Sequence, residues 1–413
     1  MRAVDTSTPV LVLRCSRHGG LGITRTLGRM GVPVYHVDGN RFAPSFFSRY
    51  SRGRFIWDAE NANPEEAAEF LGGIAHRIGR RTILIPTSDS TAMLVAAHAA
   101  TLGQWFDFPR MEPNLVRALC SKREMYFLAK KHGIPTPETA FPQSREELLE
   151  YAGRMTFPVI AKGIFGIELE RRAGRRMFLV RSRAQLLHLY DAHEDWFRPN
   201  FMVQEFIPGG AETCWMFNGY FDRNSDCVLG FTGKKIRQYP AYRGLTSLGE
   251  CVSNETVANA TREFMKACGY RGCVDVDYRY DERDGLYKIL DVNPRVGATF
   301  RLFVGANGVD VVRAMYLDRT GQPVEPAAAE EGRRWLVEDC DLVSSLRYLR
   351  DGHLGFNQWR KSFRGVAEIG VFAMDDPLPA FWMGVRNVRT LCERAFPRRS
   401  GDMPERKPEL LPR

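Results

Sequence analysis

Two stretches hold residues that could do chemistry together. In "CVDVDYRY" the acids Asp275 and Asp277 alternate, and in "LYKILDVNPR" so do Asp291, Asn293 and Arg295. Alternate side chains of a strand share a face. Between the two lies "DERDG", whose Asp284-Gly285 is turn chemistry. The stretches therefore read as one hairpin on which Asp277, Asp291 and Asn293 converge. Hard oxygen donors so arranged suit Mg²⁺, which takes one or two carboxylates plus phosphate oxygens. Arg295, two residues further on the same side, could grip a phosphoryl oxygen or a carboxylate with its fork. Pro294 fixes φ where the strand ends.

Two lysines stand in telling places. Lys122 follows Ser121, and Ser121 with Glu124 forms the S-x-x-E of a capping box. A cation in a first helical turn opposes the helix dipole, which a functional use would explain. Lys162 ends the apolar run "FPVIAK", so its ammonium emerges at a strand's carboxyl end. Further on, "VQEFIPGGAE" carries Glu205 and Glu212 around a Gly-Gly turn. A strand entering such a hinge could offer backbone groups to an adenine edge, and a downstream carboxylate could accept ribose hydroxyls. No Ser/His/Asp or Cys/His set stands out. His18, beside a glycine loop, reads as structural or substrate-adjacent rather than as a base.

The elements that must position these residues alternate in type. "PVLVLR", the helical "LGITRTLGRMG", "VPVYHVD", a helical pattern over 65–80, "TILIPT" and "STAMLVAAHAATLG" imply parallel βαβ units. The first hundred or so residues are Rossmann-like. Gly20, Gly22 and Asp38 offer part of a dinucleotide fingerprint, but Arg25 stands where the third glycine belongs, which argues against that site. After the capped helix come strand 157–163, a Gly/Arg-rich loop, strand "MFLV", helix "RAQLLHLYDA" and strand "FMVQEFIPG". A strand around "ETCWMFNGYF", the helix "ETVANATREFMKACGY" and the hairpin follow.

The order of "GGLG", "SKREMYFLAKKHGIPTP", "FPVIAKG", "VQEFIPGGAE", "KKIRQYP" and "VDVDYRYDERDGLYKILDVNPR" resembles the ATP-grasp superfamily over about residues 8–305. The nearest branch looks like the carboxylate–amine ligases related to D-aspartate ligase and to the large chain of carbamoyl-phosphate synthase. The resemblance implies an α/β protein. A Rossmann-like domain (1–118) would precede an ATP-grasp fold of two α+β subdomains gripping ATP. These would be a middle subdomain or lid (119–200) and a C-terminal subdomain (201–330), with an extension and basic tail at 331–413. It implies ATP with Mg²⁺ or Mn²⁺, and small carboxylate and amine substrates, of amino-acid or peptide type. Lys122 and Lys162 would contact phosphates. Gln204, Glu205 and Ile207 would line the adenine site, and Glu212 would meet the ribose. Asp277, Asp291 and Asn293 would bind the metal. Arg295, Lys235 and Arg237 would serve the reacting groups, and Gly163–Gly174 would be a flexible loop over the phosphates. Asp291 departs from the commoner glutamate at its position, and the shorter acid leaves the number of metal ions open. Other ATP-grasp chemistries, thiol ligation or carboxylation, and a non-catalytic ATP-binding module are the alternatives.

The totals agree with several domains in one chain: 413 residues, 44% hydrophobic and 11% aromatic. Nine cysteines without a CxxC pair fit a reducing cytoplasm. No run is long and apolar enough to read as a membrane span. No feature calls for nucleic acid. From Gly384 on there are eight Lys/Arg against four Asp/Glu, a solvated end or a contact with anionic lipid. "FWMGVRNVRTLCER" aligns Phe381, Val385, Val388 and Cys392 on one helical face, for packing or for a membrane surface. Homo-oligomerisation is left open.

Overall fold

The computed structural model describes residues 4–395, apart from Glu60 and Trp196. Its described strands form three sheets. The first holds β1 (Val10–Leu13), β2 (Val34–Asp38), β3 (Ser51–Ile56), β4 (Thr82–Pro86) and β5 (Phe106–Asp107), in the order 3-2-1-4-5 and all parallel. Helices return the chain between most strands, as the alternating pattern requires. The strand order reverses between β1 and β4, so a crevice opens at their carboxyl ends. The helices that follow those ends begin at His18 and Asp89.

The second sheet holds β6 (Thr139–Ala140), β7 (Val159–Gly163), β8 (Met177–Val180) and β9 (Phe201–Glu205), in the order 6-9-7-8. It has its own small core of Leu148, Val159, Val180, Leu186, Tyr190 and Phe201. The sequence reading placed residues 201–205 at the start of the last subdomain. They pair instead with β7 along Val159–Gly163, because the apolar "FMV" has its complement in that sheet.

The third sheet contains β10 (Cys214–Phe221), β11 (Cys227–Tyr239), β12 (Leu245–Cys251), β13 (Gly272–Asp281), β14 (Leu286–Asn293), β15 (Arg334–Leu336) and β16 (Val366–Ile369). Its order is 14-13-10-11-12-15-16. Residues 331–369 thus complete this sheet rather than forming an appendage. Trp335, 1% exposed, packs in one core with Val10, Ile83 and Val312, which ties the extension to the first sheet.

Two glycines of "GGLG" are there for close approach. A Cβ on Gly19 would lie 2.9 Å from Ala298 Cα, and one on Gly20 would lie 2.6 Å from Cys15 Cα. The helix His18–Gly28 can therefore press against the segment that follows the hairpin. Arg25, in the third-glycine position, is buried and donates to Asp376 from Nε (3.0 Å) and to its carbonyl from Nη2 (2.8 Å). Asp38 accepts from the Cys15 and Asn40 amides and from Ser16, so its oxygens are spent on the loop. The partial fingerprint is structural.

The helix Leu378–Ala395 packs on the first sheet's flank. Trp382 stacks on Phe47 at 4.5 Å and on Phe42 at 6.0 Å. Phe381 and Val385 stay exposed. Val388, Cys392 and most of the basic tail lie outside the described side chains. No described helix is long and apolar enough to cross a membrane. The eight described cysteines are all free thiols.

Candidate active site

β13 and β14 pair as the sequence predicted. Gly285, at φ 73°, makes the turn, and Asp277 faces Asp291 while Asp275 faces Asn293. A bulge after Asp277 keeps Asp291 opposite it. β10 runs along the other side of β13, with Asn218 opposite Asp275. Asn218, Asp275, Asp277, Asp291 and Asn293 therefore line one face.

Each charge on this face has an assigned partner. Lys235 Nζ lies 2.9 Å from Asp277 Oδ1, and Lys122 Nζ lies 2.9 Å from Asp291 Oδ1. Burial works against both ammonium groups, but the facing carboxylates outweigh it and hold each above its ordinary value. Burial likewise opposes the Asp291 charge, and Lys122 overrides it and keeps the carboxyl below its ordinary value. Arg295 donates from Nε to Asp89 Oδ1 and from Nη2 to Asn293 Oδ1, both at 2.9 Å. It thereby joins the first sheet to the hairpin.

Asp275 is the exception. Burial, then the neighbouring Asp277 charge, push its carboxyl up to about 6. Its nearest donor is Asn218 Nδ2, at 3.5 Å. The other end of that amide, Asn218 Oδ1, is buried without a partner. A raised carboxyl beside an orphaned oxygen is a site short of positive charge, which fits a hard divalent cation. Among the described residues no three His, Cys, Asp or Glu side chains enclose a metal.

Lys162 completes the arrangement. The Lys122 amide donates to the Ile164 carbonyl (3.3 Å), pinning the helix Lys122–Lys131 to the end of β7. The two lysines are brought close enough to repel. Burial, then Lys122, lower the Lys162 ammonium to about 7. Ser121 caps this helix through the Glu124 amide (3.4 Å). The predicted box is only half formed, because the Glu124 carboxylate turns to Arg117 and the Ser121 amide bonds the Arg117 carbonyl.

Other predicted residues have different duties. Arg237 does not reach the site. It is 3% exposed and donates to both Asp341 oxygens (2.8 and 2.7 Å) and to Ser362 (2.7 Å). A β-bulge at this position breaks the alternation that would have put it beside Lys235. Gln204 donates to Thr139 Oγ1 (3.1 Å), within its own sheet. The Glu205 carboxylate accepts from Lys288 (3.0 Å) and Arg283 (2.9 Å), which bind it to the hairpin turn. Ile207 is buried and Glu212 is exposed, the latter accepting from the Gly210 amide (2.9 Å). Within Gly163–Gly174 the chain forms a helix, Gly166–Ala173, ended by Gly174 at φ 68°. This replaces the loop expected there. His18 packs on Trp335 at 5.3 Å, and burial, then Arg17, lower it to about 4. It is a neutral packing residue.

The sequence reading missed Asp89, Asn218 and the part played by Asp275. Asp275 was legible as the alternate neighbour of Asp277. Asp89 and Asn218 carry no local signal, because long-range pairing alone brings them here.

No family model matches the chain. A D-aspartate ligase of Enterococcus faecium is 27% identical over 254 residues, which are 58% of this chain and 59% of the ligase. The C-terminal section of the carbamoyl phosphate synthase large chain of Methanopyrus kandleri is 21% identical over 60% of this chain and 45% of its own length. Among solved structures, the biotin carboxylase domain of the Hydrogenobacter thermophilus 2-oxoglutarate carboxylase has a TM-score of 0.61. It is 15% identical, over 78% of this chain and 73% of that one. The chain is similar in sequence to these ATP-grasp enzymes and shares the fold of the solved one. Its fold is the ATP-grasp fold behind a Rossmann-like domain, as the motif order implied. The chain spans about three-fifths of the D-aspartate ligase and less than half of the synthase section that it matches.

Proposed function

We propose that this chain is an ATP-dependent ligase. It activates a carboxylate as an acyl phosphate and couples it to an amine, on an amino acid or peptide-like substrate. The observation that carries the reading is the facing of Lys122 and Lys162 against Asp277, Asp291 and Arg295. Similarity to a D-aspartate ligase supports it, and the MgADP in the biotin carboxylase structure supports the nucleotide and metal.

Asp277 and Asp291 are the residues to hold Mg²⁺ or Mn²⁺, with Asp275 and Asn218 behind them. The metal supplies neutralisation of phosphoryl charge. Lys162, lowered to about 7, is only partly protonated near pH 7 and gains charge as phosphate enters. Lys122 then divides its attraction between Asp291 and phosphate. Glu212 is free at its second oxygen to meet ribose hydroxyls, while adenine falls to the backbone near Ile207, since the Glu205 carboxylate is engaged.

A substrate carboxylate oxygen attacks the γ-phosphorus and ADP leaves. The amine nitrogen then attacks the acyl carbon, phosphate leaves with the C–O electron pair, and the amine's surplus proton passes to that phosphate. Arg295, held by Asp89 and Asn293, is placed to donate to the charge that develops in both steps. Fixed donors avoid reorganisation, so positioning and electrostatics suffice without a side-chain nucleophile.

The test is ADP release across a panel of acids paired with amines, with bicarbonate as a carboxylase arm and thiols as another. ADP that rises only when an acid and an amine are both present supports the reading. Release that never exceeds the substrate-free background in any pairing refutes it.

A further inference from the structure

A second cleft lies where the loop after β5 meets the β10–β11 turn and the start of β13. Its volume is about 180 Å³. The floor is apolar, with Phe108 3% and Phe221 1% exposed. The rim carries Arg110, Arg223 and Arg271, from three separate segments. None of the three makes a hydrogen bond or ion pair among the described residues. The remaining polar groups are satisfied: Arg319 binds Asp107, the Tyr220 hydroxyl donates to Asp318 (2.5 Å), and Asp222 Oδ1 accepts from the Asn224 and Asp226 amides. Gly103 makes room for one rim residue, since a Cβ there would overlap Arg110 Nη2.

Three exposed guanidinium groups without a protein partner ring one carboxylate over an apolar floor, so the rim carries an excess of positive charge. The floor strengthens the attraction by excluding water from one side. Each fork offers parallel N–H donors to the oxygens of one tetrahedral group. The volume lies below the roughly 300–1,000 Å³ of sites that bury drug-sized ligands, so the occupant is compact.

We infer that this cleft binds a phosphate-class oxyanion, at a site separate from the nucleotide site. Asn218–Asp275 and Phe221–Gly272 are three residue pairs apart on the same two strands, which is roughly 10 Å. The inference does not rest on the ligase reading, because no residue of the cleft belongs to the proposed catalytic set.

The experiment is calorimetric titration of the full chain with pyrophosphate. It is run in a Lys122→Met, Lys162→Met background, which weakens phosphate binding at the nucleotide site. Binding should persist there, weaken with added salt, and fall at least tenfold when Arg110, Arg223 and Arg271 are all changed to Gln. If that variant does not fold, Arg223→Gln alone should weaken binding severalfold and Asp222→Asn should strengthen it. A sugar phosphate titrated alongside tells whether the free anion or a phosphoryl end is preferred, and tight binding of either supports the site. Binding that ignores the arginines overturns the inference. So does binding only at tens of millimolar, which means an adventitious ion only.

Discussion

Lys162→Met should stabilise the protein free of nucleotide while removing its activity. The Lys162 ammonium is lowered from 10.5 to about 7, first by burial and then by Lys122. At 1.36 kcal/mol per tenfold that displacement is roughly 5 kcal/mol. The side chain is partly open to solvent, so screening reduces it to about 2 kcal/mol. The direction with pH is fixed. Between about 7 and 10.5 the unfolded chain holds the proton and the folded chain does not, so folded stability rises with pH through that window. The cost is complete below about 7. Methionine fills a similar volume without charge. Urea melts at pH 6.5 should therefore show the variant more stable by about 2 kcal/mol, and the gap should close by pH 10. ATP should raise the wild-type midpoint at pH 7.5 and barely move that of the variant. A variant no more stable at pH 6.5, or a gap that does not change with pH, refutes the reasoning.

Asp376→Asn should cost about 3–5 kcal/mol, because it strips the charge partner of the buried Arg25 guanidinium; a shift below 1 kcal/mol in urea would mean that water rescues Arg25. Asp291→Asn should leave the circular dichroism spectrum unchanged and cut Mg²⁺-dependent ADP release about a hundredfold or more, as expected for loss of a preorganised charge. Unchanged turnover would remove Asp291 from the metal site. Gly19→Ala pushes a methyl against Ala298 backbone and should destabilise by about 1–3 kcal/mol; an unchanged melting temperature would show that the helix can slide away.

The sequence by itself determined the hairpin and which of its polar residues share a face. Alternation along two strands put Asp277, Asp291 and Asn293 on one face, and Asp284-Gly285 closed the turn between them. Period and turn type are local properties, so a single chain segment can display them. The same locality made Lys122 legible at a helix start and Lys162 at a strand end. Tertiary structure alone decided what each group meets. The bulge in β11 turned Arg237 from the site toward Asp341, and nothing in "KKIRQYP" marks a bulge. Pairing between β7 and β9 moved Phe201–Glu205 into the middle sheet, since an apolar strand does not name its neighbour. The reversal of strand order between β1 and β4 brought Asp89 to Arg295, across 206 residues of chain. Burial, which only the assembled sheets create, lowered Lys162 and raised Asp275. Those two displaced groups are what the proposed phosphate and metal reading draws on.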